Sequence, residues 1–206
     1  MTRLSVVLSI AAGAAALTGA GHSEIAAAAQ AAPAGLRVAL VQQPFVPNGT
    51  TRGPSVMANG GIRSELEKLG LTVRVQEIGL TPEQELEYGG WKRLGYALGH
   101  LGRAVEQNER DGFFSVGLLG TCPSMPGMVA GMDVLDPREV EGHGNKVPGG
   151  PTSEELAGLF EMIFSRYPKA SAIGFATIPL QDPGGLSLAA VNRMILGAMK
   201  GVLARQ

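Results

Sequence analysis

Four short apolar runs, separated by amphipathic stretches, constrain this chain more than any other feature. Residues 36–41 (LRVALV) are almost continuously apolar, as expected of a strand buried on both faces. Residues 71–78 (LTVRVQEI) alternate apolar and polar, which predicts a strand with one less buried face. Residues 113–119 (FFSVGLL) and 170–178 (ASAIGFATI) complete a set of four expected strands. Between them lie helix signals. A helix is expected over 62–69, with Ile62, Leu66 and Leu69 on one side and Gly70 as its left-handed stop. Thr81-Pro82-Glu83-Gln84 is a capping box with proline at the first helical position. The helix it opens is interrupted at Gly89-Gly90, continues through Leu94, Leu98, Leu101 and Val105, and ends at Asp111-Gly112. Thr152-Ser153-Glu154-Glu155 is a second capping box, before a helical stripe of Leu156, Leu159, Phe160, Ile163 and Phe164. A last helix carries Leu188, Val191, Ile195, Ala198 and Val202. Strands alternating with helices imply parallel βα units and an α/β fold.

Composition narrows the function classes. Hydrophobic residues make up 45% of the 206 residues and charged residues 17%, which supports a packed core and excludes a disordered chain. The formal net charge of -1, without a basic run interleaved with aromatics, points away from nucleic acid. A single cysteine, Cys122, excludes an intrachain disulfide and a CxxC zinc site. It reads as a small buried hydrophobe, the alternative being a nucleophile in the loop GTCPSMPGM. The three histidines, His22, His100 and His143, lie far apart and form no local metal clip. His143 reads as an exposed loop residue, the alternative being a contact to substrate or ion.

The first 34 residues differ from the rest. Met1-Thr2-Arg3 is followed by an uncharged run (LSVVLSIAAGAAALTGA), with Thr18-Gly19-Ala20 as a small-residue cleavage site. This is the layout of a secretory signal peptide, followed by an alanine-rich linker. The alternative is upstream low-complexity sequence read from a misplaced start codon. The expected organisation is a signal-like segment over 1–34 and one α/β domain over 35–206. Its product is secreted or periplasmic if the signal is real, and otherwise cytoplasmic.

Three blocks resemble the arginase/agmatinase/formiminoglutamase (ureohydrolase) superfamily. In NGTTRGPSVMANGGI, Gly53-Pro54 and Gly61-Ile62 resemble a G-P-x(n)-G-[IL] pattern. VGLLGTCPSMPG stands where the family has its GGDHS loop. MDVLDPREVEGHGNKVPGGPTSEEL is similar to the family's D-x-D-x-x-D-P block, with Asp133, Asp136, Pro137, Pro148, Gly149, Gly150, Thr152 and Glu155 matching. The resemblance implies a three-layer α/β/α arrangement with a mostly parallel, arginase-like sheet. It also implies Mn²⁺ as cofactor, hydrolysis of a guanidino or formimino C–N bond, a small guanidino or amidino substrate and a homo-oligomer, with no nucleic-acid partner and no membrane partner once the signal is removed.

The ligand pattern departs from the family's. There is no Asp-x-His anywhere in the chain, the GGDHS histidine falls at Pro123, and the first aspartate of D-x-D falls at Gly131. Only Asp133 matches a family metal ligand and stands as a residual candidate; Asp136, Pro137, Gly149 and Gly150 are expected to shape the loop. The substrate-binding glutamate of arginases would lie near Pro179, and no carboxylate occurs there before Asp182. The direct passage from GMVAGM to DVLDP reads as an internal deletion that leaves the first, second, third and last strands as neighbours in a sheet of reduced strand number. Such a chain is expected to be inactive alone. The alternative is a non-catalytic exported binding or interaction module on the same scaffold.

Overall fold

The computed structural model describes residues 35–46, 49–50, 52–120, 128–131, 134–141, 148–176 and 182–205. Signal-like residues 1–34, and with them the export reading, lie outside the described residues. Five parallel strands form the main sheet: β1 (Arg37–Gln43), β4 (Thr72–Glu77), β5 (Phe113–Leu119), β6 (Met128–Gly131) and β7 (Ala172–Ala176), in the order β4-β1-β5-β7-β6. A small antiparallel ladder, β2 (Phe45–Val46) with β3 (Gly49–Thr50), follows β1. The helices are α1 (Gly53–Met57), α2 (Arg63–Lys68), α3 (Pro82–Glu85), α4 (Gly90–Arg110), α5 (Ser153–Arg166) and α6 (Leu186–Ala204).

The first, second, third and last expected strands are neighbours, and their order follows from the register. Val38 pairs with Phe114 and with Val73, and Val116 with Ile173. The sheet has one strand more than expected. Residues 128–131 (MVAG) are too short to show a periodicity and end in glycine, so only pairing with β7 makes them a strand.

The two sheet faces differ in side-chain size. One carries Val38, Leu40, Phe114, Val116, Leu118, Ile173 and Phe175, packed in one core with residues of α2, α5 and α6. The other carries Ala39, Val41, Phe113, Leu119, Ala172 and Ala176, packed with Leu101, Ala104 and Val105 of α4. Over the small-residue face, Asn108 of α4 donates to Ser115 Oγ (3.1 Å) and accepts from Arg74, so its amide is paired at both ends. The Arg37 and Arg74 guanidinium groups lie 3.8 and 4.0 Å from the Phe113 ring centroid.

Helix starts follow the expected chemistry. Both capping boxes form: Thr81 with Gln84 opens α3, and Thr152 with Glu155 opens α5. Gly70 and Gly112 adopt φ of +80° and +74° where α2 and α4 end. The expected helix over 62–69 is instead the last part of a longer helical stretch. It starts at Gly53 with proline in its first turn and passes through a π-helical turn (Ala58–Ile62). Asn59-Gly60-Gly61 hides this stretch from a periodicity reading, because adjacent glycines are poor helix formers and Gly61 has φ +96°.

Helix α6 has the length and apolarity to cross a membrane, but Val191, Ile195, Ala198 and Val202 are buried in the protein core. It approaches α5 very closely: a Cβ built on Gly197 would stand 2.4 Å from the Ala157 carbonyl oxygen, and one on Gly201 2.4 Å from that of Glu161. Gly197→Val should therefore destabilise the fold by about 2 kcal/mol through overpacking, lowering the thermal midpoint by about 4–8 °C. Gly158→Ala, a site with nothing near its Cβ, should leave the midpoint unchanged or raise it; circular dichroism melts of both variants check this.

Candidate functional site

In a parallel α/β sheet the carboxyl ends of all strands gather at one end, the usual place for ligands. Here that end collects Gln43 of β1, Glu77 of β4, Leu119 of β5, Gly131 of β6 and Ala176 of β7. The loops that follow β5, β6 and β7 carry the candidate residues. Cys122, Asp133 and His143 lie outside the described residues. Asp136, Pro137, Gly149 and Gly150 are described and belong to one knot of backbone.

That knot is built from 134–141 and 148–153. Leu135 and Val140 are buried and hold the segment to the core. The Asp136 amide donates to Pro151 O at 2.9 Å, and the Glu139 amide donates to Asp136 O at 2.9 Å. Gly149 has φ +75°, and a Cβ on Gly150 would lie 2.2 Å from Val134 O, so this Gly-Gly pair is required by conformation and by contact. Pro137 follows Asp136 in the turn whose amide at Arg138 donates to Asp136 Oδ1 at 2.9 Å. The Arg138 guanidinium adds bonds of 3.0, 3.1 and 2.6 Å to the same carboxylate. Those side-chain bonds, with the Arg138 amide second, lower the Asp136 pKa from 3.8 to about 2.

The other carboxylates here have equally local partners. Glu139 Oε2 accepts from the Ser153 amide at 2.6 Å, at the first turn of α5. Ser153 Oγ in turn accepts a bond from Arg193 of α6. Glu141 Oε2 accepts from the Gly184 amide at 2.6 Å. The Glu141 main chain is bolted to α6 through Ser187: its amide donates to Ser187 Oγ at 2.8 Å, and that hydroxyl donates to Glu141 O at 3.1 Å. Asp182 takes the Ser187 and Leu188 amides at 3.0 and 2.8 Å, capping the start of α6. Glu155 is held below the usual range first by the Thr152 amide and then by its hydroxyl.

Sequence reasoning had singled out neither this clasp of Glu139, Glu141, Asp182 and Ser187 nor Gln43. Asp182-Pro183-Gly184-Gly185, a turn sequence ahead of an apolar helical stripe, was the available signal for the cap. Gln43 is fully buried; its Nε2 donates to Phe45 O at 3.3 Å, its main-chain carbonyl accepts from the Gly120 amide at 2.8 Å, and its Oε1 has no partner among the described residues. A buried acceptor left unpaired costs about 1–3 kcal/mol.

No family model and no curated protein sequence matches the chain. Solved structures do. An arginase from Bacillus subtilis superposes with a TM-score of 0.61 at 12% identity, covering 79% of this chain and 98% of that one. The arginase from Bacillus caldovelox gives 0.59 at 15% identity, covering 81% and 98%. The proclavaminate amidino hydrolase from Streptomyces clavuligerus gives 0.56 at 11% identity, covering 86% and 95%. The fold is that of the arginases. At such identities the likeness establishes the arginase fold, and the chemistry must be read from this chain's own side chains.

A manganese pair needs several converging carboxylate and imidazole donors. Among the described residues no three His, Cys, Asp or Glu side chains converge. Asp136, Glu139, Glu141, Glu155 and Asp182 are each engaged by backbone amides, a capping hydroxyl or Arg138. His100 lies 3.0 Å from Gln84 Oε1, bracing α4 against α3. The described residues on this arginase-type scaffold therefore do not fit a dinuclear centre.

Two measurements follow. Asp136 has a depressed folded pKa, so its contribution is present above about pH 4, its unfolded value, and is lost as pH falls toward about 2. Urea denaturation should show Asp136→Asn less stable than the parent at pH 7, with the gap closing near pH 2. Gln43→Met removes the unpaired acceptor at nearly constant volume and should leave stability unchanged or raise it by about 1 kcal/mol. A fall of that size instead would show that the carboxamide stabilises the fold, through its Nε2 bond to Phe45 O or through Oε1.

Proposed function

We propose that the chain is a catalytically incomplete member of the ureohydrolase superfamily. Its ancestral reaction is manganese-dependent hydrolysis of a guanidino or formimino C–N bond, and the chain by itself does not perform it. The observation that carries this reading is the commitment of Asp136, Glu139, Glu141, Glu155 and Asp182 to helix caps and loop bonds. A bound manganese pair supplies a water of lowered pKa for attack on the substrate carbon. A single matching ligand, Asp133, is too few for such a pair.

One observation favours a second reading, a non-catalytic exported module that binds a small guanidino or amidino molecule on the same scaffold. The buried Gln43 carboxamide carries an acceptor that is unpaired among the described residues, at the carboxyl end of β1. A carboxamide oxygen there suits an N–H donor such as an amidino group, and the signal-like N-terminus is the basis for export.

Metal content separates these readings from an active hydrolase. After purification in excess Mn²⁺ and removal of free metal, elemental analysis of the chain should find close to zero equivalents, alongside a single cooperative melt. About two equivalents per chain would overturn the reading and call for hydrolase assays.

A further inference from the structure

The junction of α3 and α4 presents an unusual concentration of aromatic surface to water. Tyr88 is 100% exposed, Leu86 78%, Trp91 75% and Tyr96 40%. Isolated exposed apolar side chains are ordinary; four of them between positions 86 and 96 are not. The surface is also concave. A groove of about 350 Å³ is lined by Glu83, Gln84, Leu86, Glu87, Tyr88 and Tyr96.

Carboxylates outnumber cations around it: Glu83, Glu85 and Glu87 stand near Lys92 and Arg93. Glu83 and Glu85 have no ion-pair partner among the described residues, and Glu87 shares only an exposed, 3.4 Å contact with Lys92. Local bonds hold the acids in place. The Thr81–Gln84 capping box closes the first turn of α3. Gln84 Oε1 is 3.0 Å from His100 Nε2, and Glu87 Oε1 accepts from the Gly89 amide at 3.1 Å. Backbone hydrogen bonds, before any other cause, keep Glu83 and Glu87 below the usual carboxylate range, so both are charged at neutral pH.

We propose that this groove is a binding site for an organic cation, an alkylammonium or alkylguanidinium, held between the tyrosine faces and the Glu83 and Glu87 carboxylates. Aromatic faces carry the negative end of the ring quadrupole and attract diffuse positive charge, while the stem of such a ligand covers the exposed apolar surface. The alternatives match the wall less well. An anion meets carboxylates, a neutral apolar ligand desolvates them without compensation, and a hard divalent ion lacks the three converging donors it needs. The site does not rest on the ureohydrolase reading, since α3 and α4 contribute no part of the clasp around Glu141 and Ser187.

The same chemistry is found in a free small cation and in an arginine side chain of a protein. Saturation-transfer NMR on the full chain with butylguanidinium, butylammonium and butyrate, and with the peptide Gly-Gly-Arg-Gly-Gly, tests the site and separates the sources. Saturable binding of both cations and none of butyrate is expected. Tyr88→Ala should weaken it about threefold to fivefold. Glu87→Gln should weaken it more at low than at high ionic strength. Both side chains are remote from the core, and unchanged melts confirm that the variants fold. Fluorescence of Trp91, the single tryptophan in the sequence, gives a local readout beside the groove. Tighter binding of the arginyl peptide than of butylguanidinium assigns the site to a protein segment; the reverse order assigns it to a small molecule. Equal binding of butyrate, cation binding that Tyr88→Ala and Glu87→Gln leave unchanged, or no saturable binding of any cation, overturns the proposal.

Discussion

A parallel sheet has to be covered on both faces, and in this chain the two coverings are made differently. The bulky face built from Leu40, Val116, Leu118, Ile173 and Phe175 needs a broad cover, which α2, α5 and α6 supply together. Those helices can share one face because α5 and α6 approach to backbone contact at Gly197 and Gly201. The opposite face carries mainly alanine, serine and glycine near its centre, so the single helix α4 can lie close to it, fixed by the amide of Asn108. Side-chain size on alternate positions of β1, β5 and β7 thus decides where each helix can sit and how near.

The same architecture explains what the carboxyl end of the sheet does with its charges. Parallel connections begin helices near that end, and helix starts expose unpaired amides that attract carboxylates. Glu139, Asp182 and Glu155 answer that demand directly, while Glu141 and Ser187 join the loop after β6 to α6. In a parallel α/β sheet this end is the usual place for ligands. Here Glu139, Glu141, Glu155 and Asp182 hold structural bonds, which gives a tightly tied loop. Gln43 differs from these groups in that its Oε1 has no partner among the described residues.

How much was legible in advance depended on the range of the interactions involved. Capping boxes at Thr81 and Thr152, left-handed stops at Gly70 and Gly112, and the buried runs of β1 and β5 could be read directly, because each is a local pattern. The helical start at Gly53 was hidden by Gly60-Gly61, whose weak propensity is overridden by packing: Gly60 leaves room for Leu188 of α6. Strand β6 was hidden because four residues carry too little pattern, and only β7 beside them supplies the ladder.

The sequence by itself determined the α/β class, the neighbouring positions of its main strands through the family resemblance, and the thinness of its metal-ligand set. The first and third of these reside in residue type and short spacing, while the strand neighbours came from the resemblance alone. The tertiary structure decided that Gly150 must be glycine because Val134 lies against it, and that Glu141 and Ser187 clasp two distant segments. It also decided that the tyrosines and glutamates after β4 share one groove rather than a core. Each of these depends on which segments the sheet brings together, and the energies concerned arise only between residues far apart along the chain.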